Sequence, residues 1–246
     1  MITIRDLRVR YQGVVDALRG VELNIPQGEI IGLFGENGAG KTTLMKSILR
    51  LVPYEGTILL DGSPIDTTNI GRIAFGTAEH GFYSEMSAAA HAEFYQEHFG
   101  TFRERRFRGL MKFFNLPMHR AIRTLSSGAQ NQVKVILALC QGADYILLDE
   151  PFTASDVFNR SDFYKVLTGI LEPNETVILS THLIEEVEDL IGRAVLIKDG
   201  KVIDNVPVPS IEEKGQMLSE YVKVAYNYQG DRVGRVIAGM EENTDA

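Results

Sequence analysis

The stretch Gly35–Thr43, read as GENGAGKTT, constrains this chain more than any other. It satisfies the pattern G-x-x-x-x-G-K-[ST] through Gly35, Gly40, Lys41 and Thr42. Ile30–Phe34 before it is a short apolar run with the length of a buried strand. Lys41–Leu51 after it places Leu44, Ile48 and Leu51 at helical spacing. Strand, glycine loop and helix together explain each residue type. Backbone N–H groups converge on phosphate oxygens only where no Cβ intervenes, and the helix adds its positive end and unpaired amides. Lys41 brings a mobile point charge to β- and γ-phosphates, and Thr42 a hydroxyl suited to magnesium. The pattern arises by chance in roughly one chain of this length in a hundred. A nucleotide site is the expectation.

Composition narrows what surrounds that site. The 246 residues, 44% of them hydrophobic, suffice for one large α/β domain or a domain with an insert. A net charge of −8 argues against general affinity for nucleic acid. One cysteine excludes an intrachain disulfide, and Cys140 sits in an apolar run that reads as core. MITIRDLRVR carries no signal-peptide core, and no stretch approaches 18 apolar residues. The expectation is a soluble protein that meets a membrane only through a partner.

Along the chain, Ile2, Ile4, Leu7, Val9 and Tyr11 alternate with one shift, and Val21, Leu23 and Ile25 alternate again. These predict antiparallel strands with a loop near Gln12-Gly13. Tyr11 is either a cross-strand aromatic or a flat face for adenine. Gly56–Leu60 reads as a strand ended by the turn Asp61-Gly62, and Ile73–Phe75 as a short buried strand. From Glu79 to about Thr124 aromatic residues recur at helical separations, which predicts a helical insert. Within it, residues 103 to 123 hold seven basic residues against the single acid Glu104. That run is either a solvated helix face or a patch facing a membrane or partner. His91, His98 and His119 show no ligand spacing.

Leu125-Ser126-Ser127-Gly128 opens the next helix, with Ser126 or Ser127 as its cap. Tyr145–Leu148 is a buried strand ending in Asp149-Glu150, and Thr176–Ser180 another ending in Thr181-His182. Two carboxylates and an imidazole are thus delivered where open parallel sheets bind ligands. Residues 194 to 203 form a hairpin around Asp199-Gly200. The remaining 206 to 246 are poorly patterned, with a strand at Tyr221–Val224 and disorder from Glu241 as the expectations.

Taken in order, these motifs resemble the nucleotide-binding subunit of an ATP-binding cassette (ABC) transporter, over about residues 2 to 205. GENGAGKTT resembles the Walker A loop, and Tyr11, thirty positions before Lys41, the adenine-stacking aromatic. LSSG at 125 to 128 is similar to the signature LSGGQ, and YILLDEP to Walker B with its glutamate. Thr153–Asp156 resembles the D-loop, and His182 the switch histidine.

The resemblance implies a phosphate-loop NTPase fold of ABC type. It has a mixed β core, an N-terminal antiparallel β subdomain and a helical insert. The ATPase domain spans 1–205, its helical subdomain roughly 79–125, with 206–246 a partly disordered extension. ATP and magnesium are the implied cofactors. Tyr11, Gly35, Asn37, Gly38, Gly40, Lys41, Thr42 and Thr43 would hold the nucleotide, and Ser126, Gly128 and Asp156 would serve the partner subunit's ATP. Thr42 and, through water, Asp149 would hold magnesium; Glu150 would activate water, and His182 would sense the γ-phosphate beside Lys41. The implied partners are a transmembrane permease and a second nucleotide-binding subunit, identical or not. The implied location is the cytoplasmic face of the cell membrane.

Two residues depart from the pattern. Ala78 stands where the family places a glutamine at the insert junction, with Glu79 beside it as a substitute ligand for magnesium. Ala129 replaces the glutamine of the signature. HGFYSEMS followed by EFYQEHFG resembles the insert of exporters. Three other readings compete. A soluble cassette protein acting on ribosomes or DNA usually carries two cassettes or a long coiled coil. A regulatory binder without turnover has no use for Glu150 and His182. A phosphate-loop kinase or GTPase leaves LSSG unexplained.

Overall fold

The alternation in the first 25 residues becomes a two-stranded ladder. The computed structural model describes residues 1–12, 15–77, 83–151 and 157–226. Strands β1 (Ile2–Tyr11) and β2 (Val15–Ile25) pair antiparallel. They bury Ile2, Ile4, Leu7 and Val9 against Leu18, Val21, Leu23 and Ile25. The shift after Ile4 is a bulge in which Asp6 takes a φ of 44°. A Cβ on the facing Gly56 would lie 2.4 Å from the Asp6 carbonyl, so only glycine fits there.

Strand β3 (Ile30–Phe34) runs through the glycine loop into helix α1 (Lys41–Ile48). This helix stops short of the expected Leu51. Arg50 adopts a φ of 56°, and the N–H groups of Arg50 and Leu51 return to the carbonyls of Ser47 and Lys46. That left-handed ending leaves Leu51 exposed. Strand β4 (Glu55–Leu60) turns at Asp61-Gly62 into β5 (Ser63–Pro64), completing an antiparallel sheet in the order β2-β1-β4-β5.

The second sheet contains β6 (Ile73–Thr77), β7 (Tyr145–Asp149), β8 (Thr176–Ser180), β9 (Arg193–Lys198) and β10 (Lys201–Pro207). Its order is β10-β9-β3-β8-β7-β6, parallel except for the β9–β10 hairpin. Its central strands β3, β8 and β7 are buried almost throughout because both faces are covered. Ile31, Leu33, Tyr145, Leu147 and Ile178 join the core beneath the antiparallel sheet and α1. Ile146, Leu148, Val177 and Leu179 join a second core under the remaining helices. Cys140 lies in that second core, its thiol pushed up to about 12 by burial.

Helices α2 (Ala88–His98) and α3 (Glu104–Phe113) pack against α4 (Ser127–Cys140) through Ala92, Phe107, Leu110 and Met111. The basic run of this region is largely committed within the chain. The Arg106 guanidinium holds Glu175 at 2.9 Å and also donates to the Leu139 and Ile170 carbonyls. Arg103 pairs with Glu172, Arg108 with Glu104 and Arg123 with Glu85. Arg103 and Arg106 are thereby turned inward, while Arg108 and Arg123 stay exposed.

The last elements are α5 (Val157–Ile170), α6 (Ile184–Val187), α7 (Val208–Glu212) and α8 (Leu218–Ala225). The expected strand at Tyr221–Val224 is instead part of α8. Leu218 and Val222, one turn apart, bury themselves in the second core. Packing there overrides the strand preference of Tyr and Val.

Candidate nucleotide site

Three neighbouring strands, β3, β8 and β7, end at one edge of the parallel sheet, and the loops after them carry the site. The loop after β3 is shaped by its glycines. A Cβ at Gly35 would lie 2.5 Å from the Ile197 carbonyl. Gly40, at a φ of 112°, would meet Leu18 at 2.8 Å and the Ala17 carbonyl at 2.9 Å. Helix α1 has neither a side-chain cap nor an acid in its first turn, which leaves its leading amides to an anion. Asn37, Gly38, Gly40, Lys41, Thr42, Thr43 and Glu150, with Ala17, line a cleft of about 170 Å³.

Lys41 is buried beneath this loop, and its Nζ donates to the carbonyls of Gly35 at 2.7 Å and Glu36 at 3.2 Å. Burial lowers its pKa, opposed by the charges of Glu150 and Asp149. Tyr11 stands at the rim, 38% exposed, its hydroxyl 3.5 Å from Thr43 Oγ1. Its ring therefore presents a partly open face beside the loop.

Asp149 ends β7 and receives two hydroxyls. Thr42 Oγ1 donates to Oδ2 and Ser180 Oγ to Oδ1, each at 2.6 Å. The parallel register that pairs Asp149 with Ser180 places the second donor. Glu150 follows at a φ of 43°, its N–H donating to Ser180 Oγ at 2.9 Å. His182 Nδ1 lies 3.1 Å from Glu150 Oε2. Ser180 thus holds both carboxylate residues at once, and reading the sequence alone missed it. The signal available was register: Asp149 and Ser180 each close a buried five-residue strand.

Among the described residues no group of three or more His, Cys, Asp or Glu can hold a metal. Thr42 and Asp149 instead offer one hydroxyl and one carboxylate in contact, a hard-oxygen pair. Such a pair suits magnesium, which retains waters and phosphate oxygens as its other ligands.

The structure does not bring Ser126 and Gly128 to this cleft. Ser126 caps α4, its Oγ accepting the Ala129 N–H at 3.3 Å, and it is exposed together with Ser127. Ala78, Glu79 and Asp156 lie outside the described residues. No described helix is long and apolar enough to cross a membrane.

The family model described as ABC transporter matches residues 18–153. The chain is 33% identical over 227 residues to the ABC transporter ATP-binding protein NatA of Bacillus subtilis, covering 87% of this chain and 92% of that protein. It is 29% identical to the SkfA peptide export ATP-binding protein SkfE of the same organism, over 85% of this chain and 90% of the relative. A solved ATP-binding subunit of an ABC transporter superposes with a TM-score of 0.79 at 23% identity, covering 91% of this chain and 98% of that one.

Proposed function

The chain belongs to the ABC transporter family, as one of its ATP-binding ATPase subunits, and on that premise we propose that it powers an exporter by ATP-driven pairing of two such subunits. The observation that carries the reading is the Thr42–Asp149 contact at 2.6 Å, which joins the glycine loop to the acidic strand end. Phosphates enter where α1 offers unpaired amides, and Lys41 exchanges its two loop carbonyls for phosphate oxygens. Thr42, and Asp149 through water, would hold magnesium, which would supply positive charge against the phosphates. Glu150 accepts a proton from the attacking water, and His182, in contact with Glu150, senses the γ-phosphate. Tyr11 stacks the adenine.

Residues 1–205 form the ATPase domain in this proposal, with the helical subdomain at roughly 79–125 and an extension at 206–246. Ser126, Gly128 and Asp156 complete the ATP site of a second nucleotide-binding subunit. The exposed start of α4, away from this chain's own cleft, supports that role. A transmembrane permease is the other partner, met at the cytoplasmic face of the membrane. Export is favoured by the likeness to SkfE, a peptide export ATP-binding protein. Glu79 substitutes near magnesium for the glutamine replaced by Ala78; a Glu79→Ala protein whose permease-stimulated turnover equals wild type would remove that role.

Binding is tested by thermal melting. Mg-ATP at 100-fold its Kd stabilises the fold by about 2.7 kcal/mol. A melt indifferent to Mg-ATP, or one that moves equally in Lys41→Ala, would overturn the site.

A further inference from the structure

Helix α8 lies beyond the segment 18–153 matched by the family model, yet its end reaches the nucleotide loop. The Tyr226 hydroxyl lies 3.0 Å from the Phe34 carbonyl and 2.9 Å from the Ile197 carbonyl. Phe34 is the last residue of β3, immediately before Gly35. Ile197 O is the atom that a Cβ on Gly35 would strike. One phenol therefore bridges two strand ends that bracket the first glycine of the loop.

The helix that carries Tyr226 is fastened on several sides. Leu218 and Val222 are buried. The Ser219 N–H donates to Glu188 at 3.2 Å, and Lys223 Nζ to Glu185 at 3.3 Å. Tyr221 donates to Asp204 of β10. Glu185 belongs to α6, which begins two residues after His182. Helix α8 thus spans from the histidine segment to the glycine loop.

We infer that Tyr226 is a positioning residue for the phosphate loop, with α8 as its rigid mount. The Phe34 carbonyl and the Gly35 N–H share one planar peptide unit and point opposite ways. Holding the carbonyl fixes the direction of the N–H. Without that bond, rotation of the unit meets little resistance on its glycine side, since glycine tolerates most φ and ψ values. The single phenolic hydrogen is shared between the Phe34 and Ile197 carbonyls, so the same group ties both strands. The residue acts through the backbone and touches no reacting atom.

This inference rests on the nucleotide reading of residues 35–43, and its test separates the two. Tyr226→Phe keeps the ring and removes the hydroxyl; Tyr221→Phe makes the same change on the same helix away from the loop. Hydrogen exchange is followed in the nucleotide-free proteins, and KM and kcat for Mg-ATP in parallel. Tyr226→Phe should speed exchange at residues 35–40 and raise KM, each by about fivefold, the worth of one hydrogen bond. Exchange across α4 should stay unchanged and kcat within about twofold. Tyr221→Phe should match wild type at the loop. A Tyr226→Phe protein that melts lower but shows wild-type exchange at 35–40 and wild-type KM would overturn the positioning role. Faster loop exchange in a chain whose wild type binds no ATP would overturn the nucleotide reading and leave the backbone role standing.

Discussion

Two helix N-termini in this chain are suited to anions, and they are finished to different degrees. The start of α1 sits in a cleft with the buried Lys41 ammonium below it and Glu150 in its wall, and Asp149 holds the Thr42 hydroxyl. The start of α4 is capped by its own Ser126, and its serines face solvent. The first region owns a cation, a metal-suited oxygen pair and a base. Among the described residues the second offers amides and hydroxyls. In the proposed function a chain with one complete and one bare half-site works as a member of a pair, each bare half closing the other's cleft.

Removing the base alone gives the largest effect on this contrast. Glu150→Gln leaves both phosphate-binding regions intact, so ATP affinity holds while turnover falls by about 10²–10⁴. With hydrolysis blocked, the paired state should accumulate under Mg-ATP. Sedimentation that shows only monomer at high protein concentration, with the cognate second cassette and permease present, would break the complementary-halves argument.

Next in size is a charge placed at the bare half. Ser126→Asp keeps a capping oxygen for Ala129 N–H but sets a negative charge where a partner's γ-phosphate would rest. The melt should still rise by about 2.7 kcal/mol with Mg-ATP at 100-fold Kd, because the cleft of this chain is untouched. Turnover should collapse nonetheless. Lys41→Ala should do the reverse at the first step and lose the melt shift. Loss of nucleotide binding in Ser126→Asp would show that the two regions are not separable.

Ser180→Ala tests how the complete half is held together. Asp149 loses one of its two hydroxyl donors and Glu150 loses a partner for its N–H. Removing a buried bond of this kind costs about 1–3 kcal/mol. Magnesium-dependent ATP affinity should fall, while affinity measured in EDTA stays near wild type. Equal losses with and without magnesium would mean that Ser180 supports only the fold.

The same contrast governs what the sequence could disclose. Gly35–Thr43, Asp149-Glu150 and His182 are legible because each needs a particular residue type at a local strand or helix end. Ser180 is a common residue whose meaning comes from parallel register with Asp149, a relation between segments far apart in the chain. Arg106 reads as one charge in a basic run, yet Glu175, 69 positions later, takes it inward. Tyr221–Val224 carries strand-forming residues, and only the core reveals that Leu218 and Val222 make a helix face. Local pattern gave the chemistry. Contacts between distant segments decided which charges were free and what the C-terminal residues do.

The smallest effect distinguishes the two regions by pH. His91, on the helix beside α4, is buried, and burial holds its pKa below the usual histidine value. Its Nδ1 lies 2.9 Å from the Ser87 carbonyl and its Nε2 accepts the Tyr83 N–H at 3.2 Å, which fixes the neutral Nδ1–H tautomer. A proton on Nε2 would set donor against donor. Because the folded pKa is depressed, the unfolded chain binds more protons as pH falls. Stability contributed by the neutral ring is present above the unfolded pKa of about 6.5 and is lost as pH drops from there toward the folded value. The slope from one such group cannot exceed about 1.4 kcal/mol per pH unit. Melts between pH 7.5 and about 5 should show this slope in wild type and a shallower one in His91→Gln. Exchange should rise first at residues 83–98 and later at residues 35–48. If acid loosens the glycine loop first, or if His91→Gln keeps the full slope, the α4 side is not the acid-sensitive half.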